Sequence, residues 1–127
     1  MTGNQLFERA LDLLGLRNEN AQAPSDTDDL AARALSLINT VIAENAVLDG
    51  RISRSEHSVK CIDSLEDEIG LTDIVVLSVL PYGLARLLAL GEDDALASSM
   101  ARLYEESRRT ALSFGKAGIA PITEVYR

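Results

Sequence analysis

Cysteine, histidine and aromatic residues are scarce in this chain of 127 residues, which has one Cys, one His, two Phe, three Tyr and no Trp. The lone Cys61 cannot form an internal disulfide, which favours a reducing, cytoplasmic origin. Without many aromatic side chains, the core has to consist mostly of Leu, Ile, Val and Ala, which suits closely packed helices. The length and a composition of 46% hydrophobic and 25% charged residues predict one globular domain over residues 1–127.

Positive charge is also scarce, since the chain has 12 Lys and Arg residues and 20 Asp and Glu residues, which gives a net charge of -8. This balance argues against general nucleic-acid binding, which needs clustered basic side chains to displace counterions. The first residues have neither the basic region nor the apolar core of a leader. The apolar run at residues 74–90 is shorter than the ~20 residues that span a bilayer, and it contains Pro81 and Arg86. We therefore expect a core helix there and no membrane contact.

The spacing of apolar residues predicts an all-α fold with about four main helices in a compact bundle. The expected helices cover about residues 4–14, 25–48, 72–90 and 94–113, and a turn at Asp49-Gly50 follows the second. Pro81 lies inside the third pattern, and proline inside a regular helix costs ~3 kcal/mol. The third helix is therefore either kinked at Pro81 or divided there.

Two segments are expected to be extended. Residues 51–63 lack a helical period, and Val59 and Cys61 alternate with polar residues as in a half-buried strand, which predicts an extended arm. Gly115 and Gly118 follow the fourth predicted helix, and an apolar, extended tail is expected at about residues 116–127. The tail either folds back on its own domain or docks on a neighbouring chain. The candidate partner or oligomer contacts are Ile52, Val59, Ile119, Pro121, Ile122, Val125 and Tyr126.

A second set of residues is predicted to hold the core together. Gly83 lets a neighbouring element approach closely, and Tyr104 lies on the inner face of the fourth helix. Arg86 follows Tyr82 by one turn, so its guanidinium can lie on that ring or reach an acid on another helix. We expect Tyr82→Ala and Leu87→Ala to cost as much as other large-to-small core substitutions.

No residue pattern predicts catalysis, a cofactor or a metal site. His57 has no metal-ligand partners at a suitable spacing, and Cys61 has no base or positive surroundings that would activate it. The acids at residues 63–73 do not match a calcium loop, and no glycine-rich phosphate loop is found. A solvent-facing histidine, a small half-buried cysteine and a solvated acidic face explain these residues. We expect a protein that is not an enzyme.

A family resemblance rests on the order of three segments. Ser64-Leu-Glu-Asp-Glu-Ile69 precedes Leu80-Pro-Tyr-Gly-Leu-Ala85, and Tyr104-Glu-Glu-Ser-Arg108 follows after an acidic turn. Upstream, a short helix ends in Leu-Gly, and a linker rich in Pro, Ser and Asp leads into a long helix. This order resembles bacteriophage and prophage head–tail connector (head-completion) proteins, including the tail accessory factors of short-tailed phages.

The resemblance implies a structural adaptor that assembles as an oligomeric ring, typically a dodecamer. Such a ring joins the portal protein to the tail proteins and surrounds the DNA exit channel, where DNA passes without specific binding. It implies a place in the virion after assembly in the bacterial host cytoplasm. It also implies contacts through extended loops and termini, here residues 51–62 and 119–126. The alternative is a small helical protein-binding or regulatory module that is monomeric or dimeric.

Overall fold

The computed structural model describes residues 1–16, 28–55 and 59–119, with side chains described for all of these except 28–31 and 115–119. The regular elements in these ranges are all helices, which confirms the all-α class. They are α1 (Gly3–Leu13), α2 (Asp28–Glu44), α3 (Ala46–Ser53), α4 (Asp73–Ser78), α5 (Leu80–Ala89) and α6 (Asp94–Ile119). None of the described helices has the length and apolar character needed to cross a bilayer. The predicted helix start at Ser25 lies outside the described residues.

The first helix begins with two reciprocal hydrogen bonds between Thr2 and Gln5, each from the backbone of one residue to the side chain of the other. The Thr2 hydroxyl accepts from the N–H of Gln5 at 3.2 Å, and the Gln5 side chain accepts from the N–H of Thr2 at 2.9 Å. This arrangement satisfies two backbone donors that helix geometry leaves without partners. The helix then buries Leu6, Phe7, Ala10 and Leu11 on one face. Its bounds lie within one residue of those predicted.

The predicted second helix is divided at Asn45, and the predicted turn at Asp49-Gly50 is wrong. The Asn45 side-chain amide donates to the Val41 carbonyl at 2.8 Å, while its backbone N–H donates to Ile42. Because the side chain occupies the carbonyl that the regular helix would use, α2 ends there and α3 begins. Asp49 and Gly50 are buried inside α3, and the Asp49 carboxylate accepts from the N–H of Thr72 at 2.7 Å.

The predicted extended arm at 51–63 is wrong at its start, and the half-buried alternation expected at Val59 and Cys61 is not found. Residues 51–53 belong to α3, and Ile52 packs against the core. The described residues 59–63 form no strand, and Val59 and Cys61 are exposed while Ile62 is buried. Asn39 explains the shift, because its side chain exchanges two hydrogen bonds of 2.8 and 2.9 Å with the backbone of Ile62. One amide side chain thus replaces the partner strand. His57 lies outside the described residues.

Pro81 divides the predicted third helix into α4 and α5. Val79 caps the end of α4 and the start of α5, and Pro81 lies in the first turn of α5. A proline there loses no helical hydrogen bond, because first-turn N–H groups have no partner within their own helix. Helical bonding resumes at once, since the N–H of Gly83 donates to the Val79 carbonyl at 3.2 Å.

The core lies around α5, which packs against α1, α2, α4 and α6. The last helix also packs on α3 and α4. It is longer than predicted, because it continues through Gly115 and Gly118 to Ile119. Each glycine inside a helix costs ~1 kcal/mol, which weakens a helix without necessarily ending it. The prediction of an extended tail is therefore wrong for residues 116–119, and residues 120–127 lie outside the described residues.

Candidate functional site

A partly buried polar cluster joins α2, α5 and α6. We call Glu44, Asn45, Arg86, Tyr104 and Arg108 the Tyr104 cluster. The Tyr104 hydroxyl donates to Glu44 Oε1 and accepts from Asn45 Nδ2, both at 2.8 Å. Arg86 Nη2 donates to Glu44 Oε1 at 2.9 Å and to Oε2 at 3.2 Å. Arg108 Nε donates to Asn45 Oδ1 at 3.1 Å. The cluster satisfies Asn45, which is fully buried.

The Tyr104 ring is held between two cations and a glycine. The guanidinium carbon of Arg86 lies 4.9 Å from the ring centroid, and that of Arg108 lies 5.6 Å away. A Cβ atom at Gly83 would lie 2.7 Å from Tyr104 Cε1, so a larger residue there would push the ring away. Cation–π contacts at these distances stabilise the ring position. Of the two partners predicted for Arg86, the acid on another helix is found and is Glu44, whereas the ring that its guanidinium lies over is that of Tyr104 and not the predicted Tyr82.

The surroundings of Tyr104 shift the pKa of its hydroxyl group. Burial raises the pKa of Tyr104 above its ordinary value, and the hydrogen bond to Glu44 raises this pKa further. The phenol therefore stays protonated at neutral pH and acts as a hydrogen-bond donor. Through this hydroxyl and the two arginines, the cluster links α2, α5 and α6 by hydrogen bonds.

Two acidic residues in the segment before α4, Asp67 and Glu68, have partners in the structure. Asp67 Oδ2 accepts from the N–H groups of Asp63 and Ser64 at 3.0 and 3.1 Å. Glu68 is exposed and pairs with the Met1 amine at 2.8 Å. Across the residues whose side chains are described, no group of three or more His, Cys, Asp or Glu residues is arranged to hold a metal ion.

An open groove lies between α1, the α4–α5 junction and α6. We call this groove of about 460 Å³ the α1/α6 groove. Its floor is apolar and consists of buried or half-buried side chains, while exposed polar and charged side chains stand at its edge. The floor contains Leu13, Ile74, Pro81, Tyr82, Leu103 and Ala111, and the edge contains Arg9, Glu106 and Thr110.

Two exposed apolar side chains extend the apolar surface of the groove. Leu77 lies on its edge and is 51% exposed, and Phe114 is 66% exposed. Phe114 follows Leu103, Ser107 and Thr110 at spacings of four, three and four residues, so it lies on the same face of α6. Apolar side chains grouped beside an apolar groove are typical of a protein contact surface.

The predicted contact residues do not come together in the described part of the chain. Ile52 packs on the core, Val59 is 55% exposed in the segment after α3, and Ile119 ends α6. The other members, Pro121, Ile122, Val125 and Tyr126, lie outside the described residues. Among the predicted core residues, Gly83 and Tyr104 are buried, whereas Tyr82, Arg86 and Leu87 are half-buried.

Sequence reasoning missed Glu44 and Asn45 as members of the Tyr104 cluster. Both residues interrupt the apolar pattern at the end of the second helix, which looks like an ordinary polar helix end. The available signal was the spacing of Tyr104 and Arg108, four residues apart on one face of a helix. Their shared partners, Glu44 and Asn45, were not visible from this spacing.

The chain matches no family model, no curated protein and no solved structure.

Proposed function

We propose that this protein is a structural adaptor of a bacteriophage or prophage particle. In this proposal, copies of the chain form a ring that joins the portal to the tail and surrounds the DNA exit channel. The partners are sister copies, the portal protein and tail proteins, and the site of action is the virion. DNA passes through the ring without specific binding, consistent with a net charge of -8 per chain.

The residues that carry the resemblance to connector proteins lie in contact. Gly83, from the segment Leu80–Ala85, supports the ring of Tyr104, and Arg108 lies beside that ring. These residues therefore hold the middle of α6 against α5. A contact of this kind preserves the direction of a long helix, which suits an adaptor whose ends bind other proteins.

The observation that carries the proposal is the combination, on one chain, of a groove and a long last helix whose Ser113 and Phe114 are exposed. The last described α6 side chains that pack on the core are those of Ala111 and Leu112, and α6 continues to Ile119. Residues 113–119 thus extend the helix about 10 Å further at 1.5 Å per residue. Two unlike surfaces on each copy are what a head-to-tail contact requires, and such contacts close into rings when the rotation permits.

Binding to the portal tests this proposal. The chain would be mixed with portal rings encoded in the same phage or prophage genome, over a range of concentrations. Sedimentation and electron microscopy would then show whether an additional ring forms below the portal. We expect bound chain at one copy per portal subunit, and we expect the chain in purified particles by mass spectrometry.

A matched pair of variants makes the result specific. Ile122→Asp with Tyr126→Asp is expected to weaken assembly, while Leu90→Glu, at a position 62% exposed away from the groove, is expected to leave it intact. A chain that is monomeric in dilute solution still agrees with the proposal if it joins the portal. A stable monomer or dimer that never binds the portal contradicts it and favours the small helical binding module.

A further inference from the structure

We propose that the α1/α6 groove is the docking site for residues 120–127 of a neighbouring copy. This inference rests on the proposed ring and identifies the contact that closes it. The donor is the segment that follows α6, and the acceptor is the groove between α1, the α4–α5 junction and α6. Each copy therefore gives one segment and receives another.

The chemistry of the segment matches that of the groove. In an extended conformation, Ile122, Glu124 and Tyr126 lie on one side, because side chains alternate along an extended chain. Two apolar side chains thus flank one carboxylate. The groove offers an apolar floor with the exposed Arg9 at its edge, where a guanidinium can pair with the Glu124 carboxylate.

The length of the segment is sufficient for this contact. Eight extended residues span at most ~26–29 Å. The α6 side of the groove runs from Leu103 to Ala111, which is about 12 Å along a helix. The segment is therefore long enough to cover the groove and leaves about 14 Å of chain to reach it.

The direction of α6 favours a neighbouring copy as the acceptor. The helix carries the segment away from its own groove, because it continues to Ile119, which is about 12 Å along the helix from Ala111, the last α6 residue described as lining the groove. Pro121 biases the residue before it toward extended backbone and against a helical turn. A return to the same copy would require a reversal of the chain within the first residues after Ile119.

Docking would also cover the apolar surface beside the groove. Leu77 and Phe114 are 51% and 66% exposed in the isolated chain. Both lie next to the path that an incoming segment would take along the groove. Donor and acceptor are different surfaces, so the contact is head-to-tail and repeats from copy to copy until the ring closes.

Pairwise cross-linking tests the inference directly. In a Cys61→Ser background, one variant carries Leu77→Cys at the groove and a second carries Val125→Cys in the segment. The two full-length variants are mixed at high concentration and treated with a short bis-maleimide, both free and bound to the portal. Leu90→Cys replaces the groove variant in the control, since Leu90 is similarly exposed on another surface.

The inference predicts heterodimers from Leu77→Cys with Val125→Cys, formed about tenfold or more faster than with Leu90→Cys. A single chain with both cysteines should give a ladder of oligomers. If that chain instead gives only an internal cross-link, and the mixture gives no heterodimer, the segment docks on its own copy and the inference is overturned. Equal rates for the groove and control positions, free and on the portal, also overturn it.

The two proposals can fail separately. Portal binding without cross-linking between groove and segment leaves the adaptor function standing and removes the docking site. Cross-linking between copies without portal binding leaves the docking site and removes the adaptor function.

Discussion

Removal of one hydroxyl group tests whether the Tyr104 cluster holds the helices together. Tyr104→Phe keeps the aromatic ring, its contact with Gly83 and both cation–π contacts, and deletes two hydrogen bonds of 2.8 Å. One of these bonds goes to the carboxylate of Glu44 and the other comes from the side-chain amide of Asn45. The substitution therefore isolates the polar part of the cluster.

The expected loss follows from what remains after the substitution. A hydrogen bond to a charged group contributes ~1.5–3 kcal/mol and a neutral one ~0.5–1.5 kcal/mol. Glu44 is 36% exposed and keeps Arg86, and the Asn45 amide keeps the Val41 carbonyl, so neither partner is abandoned. We expect a loss of roughly 2 kcal/mol in the free energy of unfolding. In a domain of this size, that lowers the Tm by roughly 5–10 °C.

The pH dependence gives an independent check on the same hydroxyl. The pKa of Tyr104 is raised in the folded protein, whereas an unfolded tyrosine has a pKa of about 10. Below that pH both states keep the proton, so the contribution of the hydroxyl is complete. Above it the unfolded state releases the proton first, and the free energy of unfolding falls by up to ~1.4 kcal/mol per pH unit. The difference between wild type and Tyr104→Phe should shrink above pH ~10.

Urea unfolding measured at several pH values would carry out this test. Tyr82→Phe is the matched control, because Tyr82 is a half-buried tyrosine outside the cluster. A Tyr104→Phe variant within ~0.5 kcal/mol of wild type would refute the reasoning. So would a difference between the two proteins that does not change at alkaline pH.

Three further substitutions and one deletion have defined outcomes. Gly83→Ala should destabilise by about 1–3 kcal/mol in urea unfolding, because its Cβ would lie 2.7 Å from Tyr104 Cε1; a neutral result would show that the ring moves freely. Leu84→Ala should cost about 2–5 kcal/mol and Leu87→Ala clearly less, since Leu84 is fully buried and Leu87 only half-buried; equal losses would contradict this ranking. Deletion of residues 120–127 should preserve the far-UV circular dichroism and Tm and abolish assembly; an unfolded truncated chain would assign this segment to its own core.

Local signals predicted where the helices lie, and side-chain contacts without a periodic pattern caused the errors at Asn45, Asp49 and Ile62. The apolar spacing of α1 and the proline at the start of α5 depend on neighbouring residues, so the sequence shows them. The division at Asn45 depends on a side chain that competes with the backbone, and the burial of Asp49 depends on Thr72. Neither interaction leaves a periodic pattern.

Residues 59–63 and the candidate site also depend on contacts between residues far apart in the sequence, which a local pattern does not show. Alternation at Val59 and Cys61 predicted a strand, but Asn39 binds the backbone of Ile62 from a position 23 residues earlier and places Ile62 in the core. For Arg86 the sequence predicted either the ring of Tyr82 or an acid on another helix, and it could not identify Glu44. The groove was invisible because α1, the α4–α5 junction and α6 form it only after they pack together.

Hydrogen bonds attach residues 59–71 to α2 and to the start of the chain, and this has a consequence for local unfolding. Ile62 depends on Asn39, the N–H of Asn4 donates to the Leu65 carbonyl at 2.8 Å, and the N–H of Ile69 donates to Met1 at 3.0 Å. Release of this segment therefore also frees the first turn of α1. In native-state hydrogen exchange, the amides of Asn4, Ile62 and Ile69 should show the same opening free energy, as one cooperative unit.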